Sequence, residues 1–243
     1  MNFYQVVIGS EILNGRRKDS HFDFLKEELL KRGQKLKASF FIEDDPKLIE
    51  DIFMLVKGDE EAVMFSFGGI GATPDDYTRE VAAKVFGDGR LYEHPEAKSA
   101  IEERFKEQAY PHRIEMAKLP KESKLLKNPV TNVPGFYLHD RFFFVPGFPS
   151  MAHPMVKEAL TLLNLPYKKS ERHTICVEAS ENDLMDLMKL IPKELDFSSL
   201  PGFKDGRPYD VLSLEGEGAQ EWMDFLKTEI EKRGFRFKEG ERC

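Results

Sequence analysis

The sequence predicts an α/β fold: a three-layer α/β/α arrangement around a mainly parallel sheet, followed by a small C-terminal α+β domain. Three observations lead there. Short apolar runs alternate with helix-period segments through residues 3–86, the signature of parallel strands linked by helical crossovers. Chemically loaded residues fall just after three of those runs, at positions 9–10, 44–45 and 68–76, where open α/β sheets take their ligands. Beyond a short charged stretch at residues 168–172 the pattern changes to strand, helix, strand, helix, strand. The division is therefore expected at residue 167, with residues 1–167 one domain and 168–243 another.

Residues 3–8 form an apolar run closed by Gly9 and Ser10, read as a buried strand. Asp19 or Ser20 can cap a helix whose apolar positions are Phe22, Leu25, Leu29 and Leu30, with Gly33 as its stop. Residues 35–42 read as the next strand. Asp44, Asp45 and Pro46 supply a cap and a proline at the first helical position. Leu48, Ile49, Ile52, Phe53 and Val56 give that helix its apolar face. Residues 62–67 are a third strand, and Thr78, Val81, Ala82 and Val85 mark a third helix. Residues 95–109 read as helix and 142–145 as a strand. Ser150 is placed to cap a helix carrying Met151, Met155, Val156, Leu160 and Leu163. In the tail, strands are expected at residues 174–179, 209–214 and 235–237, and helices at 182–190 and 219–233.

Composition narrows the function. The 243 residues are 41% hydrophobic and 33% charged, an ordinary globular balance, and the net charge is −7. A generic sheath for nucleic acid or anionic lipid needs a basic face, which this charge argues against. A backbone nest can still hold a small anion. Cys176 and Cys243 show no zinc-type spacing and read as incidental thiols of a reducing cytoplasm. The N-terminus reads as a strand rather than a signal peptide, and no stretch has the length of a membrane span.

Residues 66–78, SFGGIGATPDDYT, carry the chemistry. Gly68, Gly69 and Gly71 allow consecutive amides to approach phosphate oxygens, Thr73 adds a hydroxyl, and the helix start that follows favours an anion. A plain structural turn is the alternative reading of the glycines alone. Asp75 and Asp76 have a bland role as helix caps. Beside a phosphate nest they call for a cation between, as when a divalent metal bridges carboxylate and phosphate. Asp44 and Asp45 divide between the same two readings, and Glu11 follows Gly9 and Ser10 toward the same region. The six histidines show no catalytic pairing by spacing.

At these residues the chain resembles the CinA-like (competence/damage-inducible) proteins, whose N-terminal domain has the MoaB/Mog molybdopterin-binding fold. The resemblance spans about residues 3–165. It rests on IGSEIL, the Asp44–Asp45 pair, GGIGATPDDYT, the AKLP, LLKNP and VPGF run, and VPGFPSM. The family pattern GGxGxTxDDxT is met at Gly68, Gly69, Gly71, Thr73, Asp75, Asp76 and Thr78. The resemblance implies Asp44 and Asp76 as catalytic acids, and Asp44, Asp75 and Asp76 as holders of Mg²⁺ or another divalent cation. It implies the glycine loop with Thr73 and Thr78, together with Gly9 and Ser10, as the phosphate site. Pro146, Gly147, Pro149 and Ser150 are implied as a second ligand-contacting turn. Gly9–Ser10–Glu11 stands where the family has GDE or GNE, and Asp19–Ser20–His21 where it has DTN.

What the resemblance implies is a cytoplasmic, metal-dependent nucleotide pyrophosphatase acting on ADP-ribose or a related dinucleotide. A non-catalytic pterin or nucleotide-binding module, and a molybdenum-cofactor biosynthesis role such as adenylyl transfer to molybdopterin, are the alternatives. Its partner would be a small anionic ligand, not nucleic acid or membrane, and it would assemble as a homo-oligomer. The long C-terminal amidohydrolase domain of full-length relatives is absent from the sequence, so nicotinamide-nucleotide amidohydrolase activity is not expected.

Overall fold

The computed structural model describes residues 1–167 and 172–242. Two compact units, Met1–Lys168 and Lys169–Cys243, divide the chain.

In the first unit the elements run β1 (Asn2–Ile8), α1 (Ser10–Leu13), α2 (His21–Leu30), β2 (Leu36–Ile42), α3 (Pro46–Lys57), β3 (Ala62–Phe67), α4 (Thr78–Phe86), β4 (Leu91–Glu93) and α5 (Pro95–Phe105). After 3₁₀ turns at Lys106–Ala109 and Arg113–Ala117 come β5 (Lys118–Pro120), β6 (Lys124–Leu126), β7 (Gly135–Leu138), β8 (Phe142–Val145) and α6 (Pro149–Leu162). Six strands form one sheet in the order β2-β1-β3-β8-β7-β6. The pairs β2·β1, β1·β3 and β3·β8 are parallel, and β8·β7 and β7·β6 antiparallel.

Strand alternation explains the two cores. On β1, Tyr4, Val6 and Ile8 pack with Ile49, Phe53 and Val56 of α3 and Val81, Ala82 and Val85 of α4. Phe3 and Val7 face the opposite layer, with Leu25 and Leu29 of α2 and Met155, Val156 and Leu160 of α6. Because β1 and β3 are covered on both faces, nearly every residue in them is buried, as expected for parallel strands.

Three local expectations are corrected. Neither Asp75 nor Asp76 caps α4, whose N-cap is Tyr77 with no side-chain hydrogen bond. Ser150 lies inside the first turn of α6, because Phe148 is the N-cap and Pro149 already begins the helix. The helix expected to reach residue 109 stops at Phe105, where Lys106 turns to φ +52° and the chain tightens into a 3₁₀ turn.

The second unit contains β9 (Arg172–Val177), α7 (Glu181–Met188), β10 (Asp196–Lys204), β11 (Arg207–Glu215), α8 (Ala219–Lys232) and β12 (Phe237–Glu239). Its sheet is antiparallel, in the order β10-β11-β9-β12. Leu184 and Leu187 of α7 and Met223, Leu226 and Ile230 of α8 pack on Ile175, Val177, Leu212 and Leu214. The last strand starts later than expected because the Phe235 amide still closes α8 onto the Ile230 carbonyl. Cys176 is not an incidental thiol: it is in a disulfide. The antiparallel pairing that sets Lys238 opposite Cys176 brings the end of the chain to β9. Cys243, the only other cysteine in the sequence, and most of the stretch expected as a linker lie outside the described residues. Among the described residues no helix is long and apolar enough to cross a membrane.

Candidate functional site

The glycine loop leaves β3 in a conformation that its neighbours dictate. Gly68 has φ +98°, and a Cβ on it would lie 2.3 Å from the Ile8 carbonyl oxygen of β1. Gly69 has φ +68°, and a Cβ there would lie 2.2 Å from Oγ1 of Thr78. Thr78 is fully buried; its hydroxyl donates to the Gly68 carbonyl at 3.0 Å and its amide to the Gly69 carbonyl at 3.0 Å. The start of α4 thus pins the loop.

Farther along, Asp76 Oδ2 accepts from the Thr73 amide at 2.8 Å and also from the Thr73 hydroxyl. The Asp76 amide returns a bond to the Thr73 carbonyl. Between these two anchors the backbone amides of Gly69, Ile70, Gly71 and Ala72 are engaged by no hydrogen bond among the described residues. A run of such amides makes a nest for an anion.

The aspartate pair after β2 splits its roles. Asp45 caps α3, accepting from the Leu48 amide at 2.6 Å. Asp44 instead takes the Ser10 amide and the Ser10 hydroxyl on Oδ2, each at 2.8 Å. Only Oδ2 of Asp44 and Oδ2 of Asp76 are used in hydrogen bonds among the described residues, so each carboxylate keeps Oδ1 for a ligand.

The turn after β8 sits against the glycine loop: a Cβ on Gly147 would lie 3.5 Å from the Gly68 Cα. Its carbonyl receives Nη2 of Arg17 at 2.8 Å and faces Nε2 of His21 at 3.2 Å. Arg17 also lies over the Phe148 ring at 5.0 Å and 3.6 Å from Glu11. His21 is buried and stacks on Phe67 at 4.4 Å. Burial holds its imidazole below the usual histidine range. His21 therefore backs the turn and does not enter the cavity.

These pieces surround one cavity of about 490 Å³. Of the residues expected from sequence, Gly9, Asp44, Gly68, Gly69, Gly71, Thr73, Asp75, Asp76, Pro146 and Gly147 line it. Ser10, Thr78, Pro149 and Ser150 do not. Ser10 spends its hydroxyl on Asp44, Thr78 is buried beneath the loop, and Pro149 and Ser150 belong to the first turn of α6. Sequence reasoning did not place Arg17 or Arg79 at the site, nor the apolar end that Phe105, Met116, Leu119, Val133, Pro134 and Phe136 form with Ile70 of the loop. Arg79 is on the first turn of α4 and Asp76 lies before that helix, so no helical spacing links the two and the sequence carries no signal for it. The apolar end is built from segments far apart in the chain, which no local pattern reveals. Asn128 also lines the cavity, but its side chain is consumed within its own loop by Val130, Thr131 and Val133. Among the described residues, no three histidine, cysteine or acidic side chains are grouped closely enough to form a ready metal cage.

Comparison with known proteins gives four further findings. Residues 5–165 match the sequence profile of the family described as probable molybdopterin binding domain. A CinA-like protein of Syntrophotalea carbinolica is 33% identical over 164 residues, 65% of this chain and 39% of that protein. The match thus spans about two fifths of the length of this relative and of the CinA-like proteins of Acaryochloris marina and Nostoc punctiforme. Protein PF0476 of Pyrococcus furiosus is 26% identical over 97% of this chain and 98% of its own length. Among solved structures, CinA from Thermoplasma acidophilum superposes with a TM-score of 0.60 at 27% identity, covering 66% of this chain and 98% of that one.

Proposed function

The chain belongs to the molybdopterin-binding domain family, with CinA-like proteins among its relatives, and from that premise we propose that its cavity binds a nucleotide or pterin through its phosphates and hydrolyses a pyrophosphate bond such as that of ADP-ribose. The observation that carries this reading is the run of unengaged amides at Gly69, Ile70, Gly71 and Ala72, which borders the same cavity as Asp44 and Asp76. The volume suits a nucleotide-sized ligand. The apolar end suits a flat heteroaromatic ring, and the glycine loop suits its phosphates.

A divalent cation fits this donor set in one particular way. Mg²⁺ is commonly held by one or two carboxylates together with substrate phosphates and waters. Asp44 and Asp76 offer one unspent oxygen each, so the ion would arrive with the ligand rather than in a preformed cage. When bound it would neutralise phosphate charge and polarise the reacting phosphorus.

The chain's own residues would do the rest. The loop amides hold the phosphoryl oxygens on which negative charge grows as water adds to phosphorus. An unspent carboxylate oxygen of Asp44 or Asp76 takes the water proton. The bridging P–O bond breaks, and ADP-ribose yields AMP and ribose 5-phosphate. Assembly into a homo-oligomer is part of the same proposal and is checked by the mass of the protein in solution.

The deciding experiment incubates the purified protein with ADP-ribose or FAD, with and without Mg²⁺, and follows AMP release. Asp44→Asn and Asp76→Asn serve as controls because both keep a hydrogen-bond acceptor in place. AMP release by the wild type that Mg²⁺ stimulates and both variants lose is the expected result. Release no greater than in the variants overturns the hydrolase reading for these substrates. One observation favours a binding-only module as the second reading: residue 10, where the family pattern has an acid or amide, is a serine that occupies Asp44. Saturable calorimetric binding of ADP-ribose without turnover would identify that case.

A further inference from the structure

Arg79 is a cation with no carboxylate in contact; Glu80, Asp76 and Glu115 act on it only from beyond ion-pair distance. Its side chain is 5% exposed, yet it borders the cavity. Among the described residues it forms no ion pair. Its guanidinium is held by carbonyl oxygens only: Nη2 donates to Gly71 at 2.9 Å, Nη1 to Glu115, and Nη1 approaches Lys118 at 3.5 Å. Nε is buried with no partner. Burying a charge without a counter-charge in contact is costly, and three carbonyl dipoles with the more distant Glu80, Asp76 and Glu115 offset only part of that cost. Burial shifts the equilibrium toward loss of its proton, but a guanidinium remains charged at any physiological pH.

The other cavity cation does not substitute for it. Arg17 has Glu11 within 3.6 Å and its Nη2 on the Gly147 carbonyl. Against these two arginines the cavity sets four carboxylates, Glu11, Asp44, Asp75 and Asp76. An anion entering the glycine loop would meet that negative field unless a fixed positive charge stood close behind the loop. Arg79 stands there, one hydrogen bond from Gly71. By taking the Gly71 carbonyl, it also turns toward itself an oxygen that would repel an anion, while the neighbouring amides stay unengaged.

We propose that Arg79 is the built-in counter-charge of the glycine loop, a positioning residue that selects ligands with a diphosphate-type dianion by its buried charge and its hold on Gly71. This rests on the reading of the loop as a phosphate site. Because the charge is buried, its effect is little screened by salt, unlike that of a surface arginine.

The test is calorimetric titration of inorganic pyrophosphate into wild type, Arg79→Lys and Arg79→Met, at low and at 0.5 M salt, with thermal midpoints recorded for each protein alone. Expected is at least about tenfold weaker binding by Arg79→Met at both salt concentrations, with Arg79→Lys within about threefold of wild type, because one buried unit charge at this range is worth more than 1.4 kcal/mol. Arg79→Met binding within threefold of wild type overturns the proposal, as does an equal loss in Arg79→Lys, which would make the fork geometry alone responsible. If Arg79→Met does not fold, the wild type decides: with ¹⁵N-arginine labelling, the Arg79 Nε–H resonance moves on pyrophosphate addition, and an unmoved resonance overturns the proposal. Wild type that binds neither pyrophosphate nor ADP-ribose removes the phosphate reading itself. Wild type that binds while the variants match it removes only the role of Arg79.

Discussion

Ser10 and Asp44 hold each other across the ends of two neighbouring parallel strands. The Ser10 hydroxyl and amide both donate to Asp44 Oδ2 at 2.8 Å, and the Asp44 amide returns toward the Ser10 hydroxyl at 3.3 Å. The loop after β1 thereby fixes the carboxylate that the loop after β2 brings to the cavity. One side-chain oxygen is used for that purpose and one is left over. In Ser10→Ala, Asp44 keeps only the amide. A hydrogen bond to a charged group is worth about 1.5–3 kcal/mol at most, and less when partly exposed, so a loss of about 1 kcal/mol in unfolding free energy is expected by urea titration. Because the carboxylate also gains rotational freedom, ADP-ribose binding by the variant should weaken several-fold in calorimetry. Unchanged stability and affinity together would show that Asp44 is held by the backbone alone.

Glycine substitutions separate close approach from mere backbone conformation. At Gly68 and Gly69 an added Cβ meets the Ile8 carbonyl at 2.3 Å and the Thr78 hydroxyl at 2.2 Å, and both residues have positive φ. Gly15 and Gly89 also have positive φ, but nothing lies within 4 Å of a Cβ there. Alanine at Gly15 or Gly89 should cost about 1–2 kcal/mol, the left-handed penalty alone. Alanine at Gly68 or Gly69 should cost more than that and abolish pyrophosphate binding, because the loop must move off Thr78 and β1. Thermal denaturation of the four variants gives the comparison, and equal losses at all four sites would refute it.

The parallel strands of the first unit were legible because parallel burial writes itself as apolar runs, as in residues 3–8 and 62–67, whereas the short antiparallel strands β4, β5, β6 and β7 were not. The loop at residues 66–78 was legible because glycines and paired acids cluster in sequence. What escaped was non-local or masked by breakers. Strand β10 contains Pro201 and Gly202, which read as loop, although Asp205–Gly206, with φ +52° and +74°, is the two-residue hairpin turn that closes it onto β11. Which aspartate of 44 and 45 caps the helix also escaped, because either is spaced to do so. Only the fold shows that Ser10 claims the first and Leu48 the second. Arg79 reads as an ordinary helix cation until α4 is placed against residues 115–118.

A buried and a half-buried histidine predict an acid-side loss of stability. His21 and His153 meet edge to face at 5.3 Å, and His153 stacks on Phe24 at 3.7 Å. Burial first, and then the neighbouring His21, bring His153 down to about 4, and burial lowers His21 as well. Both groups bind protons more readily in the unfolded chain, which titrates near 6.5. Their contribution is therefore fully present above pH 6.5 and is lost as pH falls from about 6.5 toward 4. The thermal midpoint should drop through that window in the wild type and drop less in His153→Phe, which keeps the stacking on Phe24. Parallel pH profiles for the two proteins would count against the histidines.

The first unit should fold without the second. Its cores draw on residues 3–165, and the core of the second unit on residues 175–237, with none shared. Near its end, Tyr167 is tied back to α2: its hydroxyl donates to Glu28 at 3.2 Å and its ring lies 4.0 Å from the Arg32 guanidinium. Arg32 and Glu28 form an ion pair with both side chains 4% exposed. Tyr167 is thus the lid of a charge pair that would otherwise meet water on that side. A fragment of residues 1–167 is expected to be folded by circular dichroism, to melt cooperatively and to bind pyrophosphate like the full chain. A fragment ending at residue 165 loses the tyrosine and should be about 1–2 kcal/mol less stable, the combined worth of a partly desolvated cation–π contact and one hydrogen bond. Tyr167→Phe in the longer fragment should recover the ring's share and not the hydroxyl's. A 1–167 fragment that fails to fold would show that the boundary between the units is not a boundary of stability.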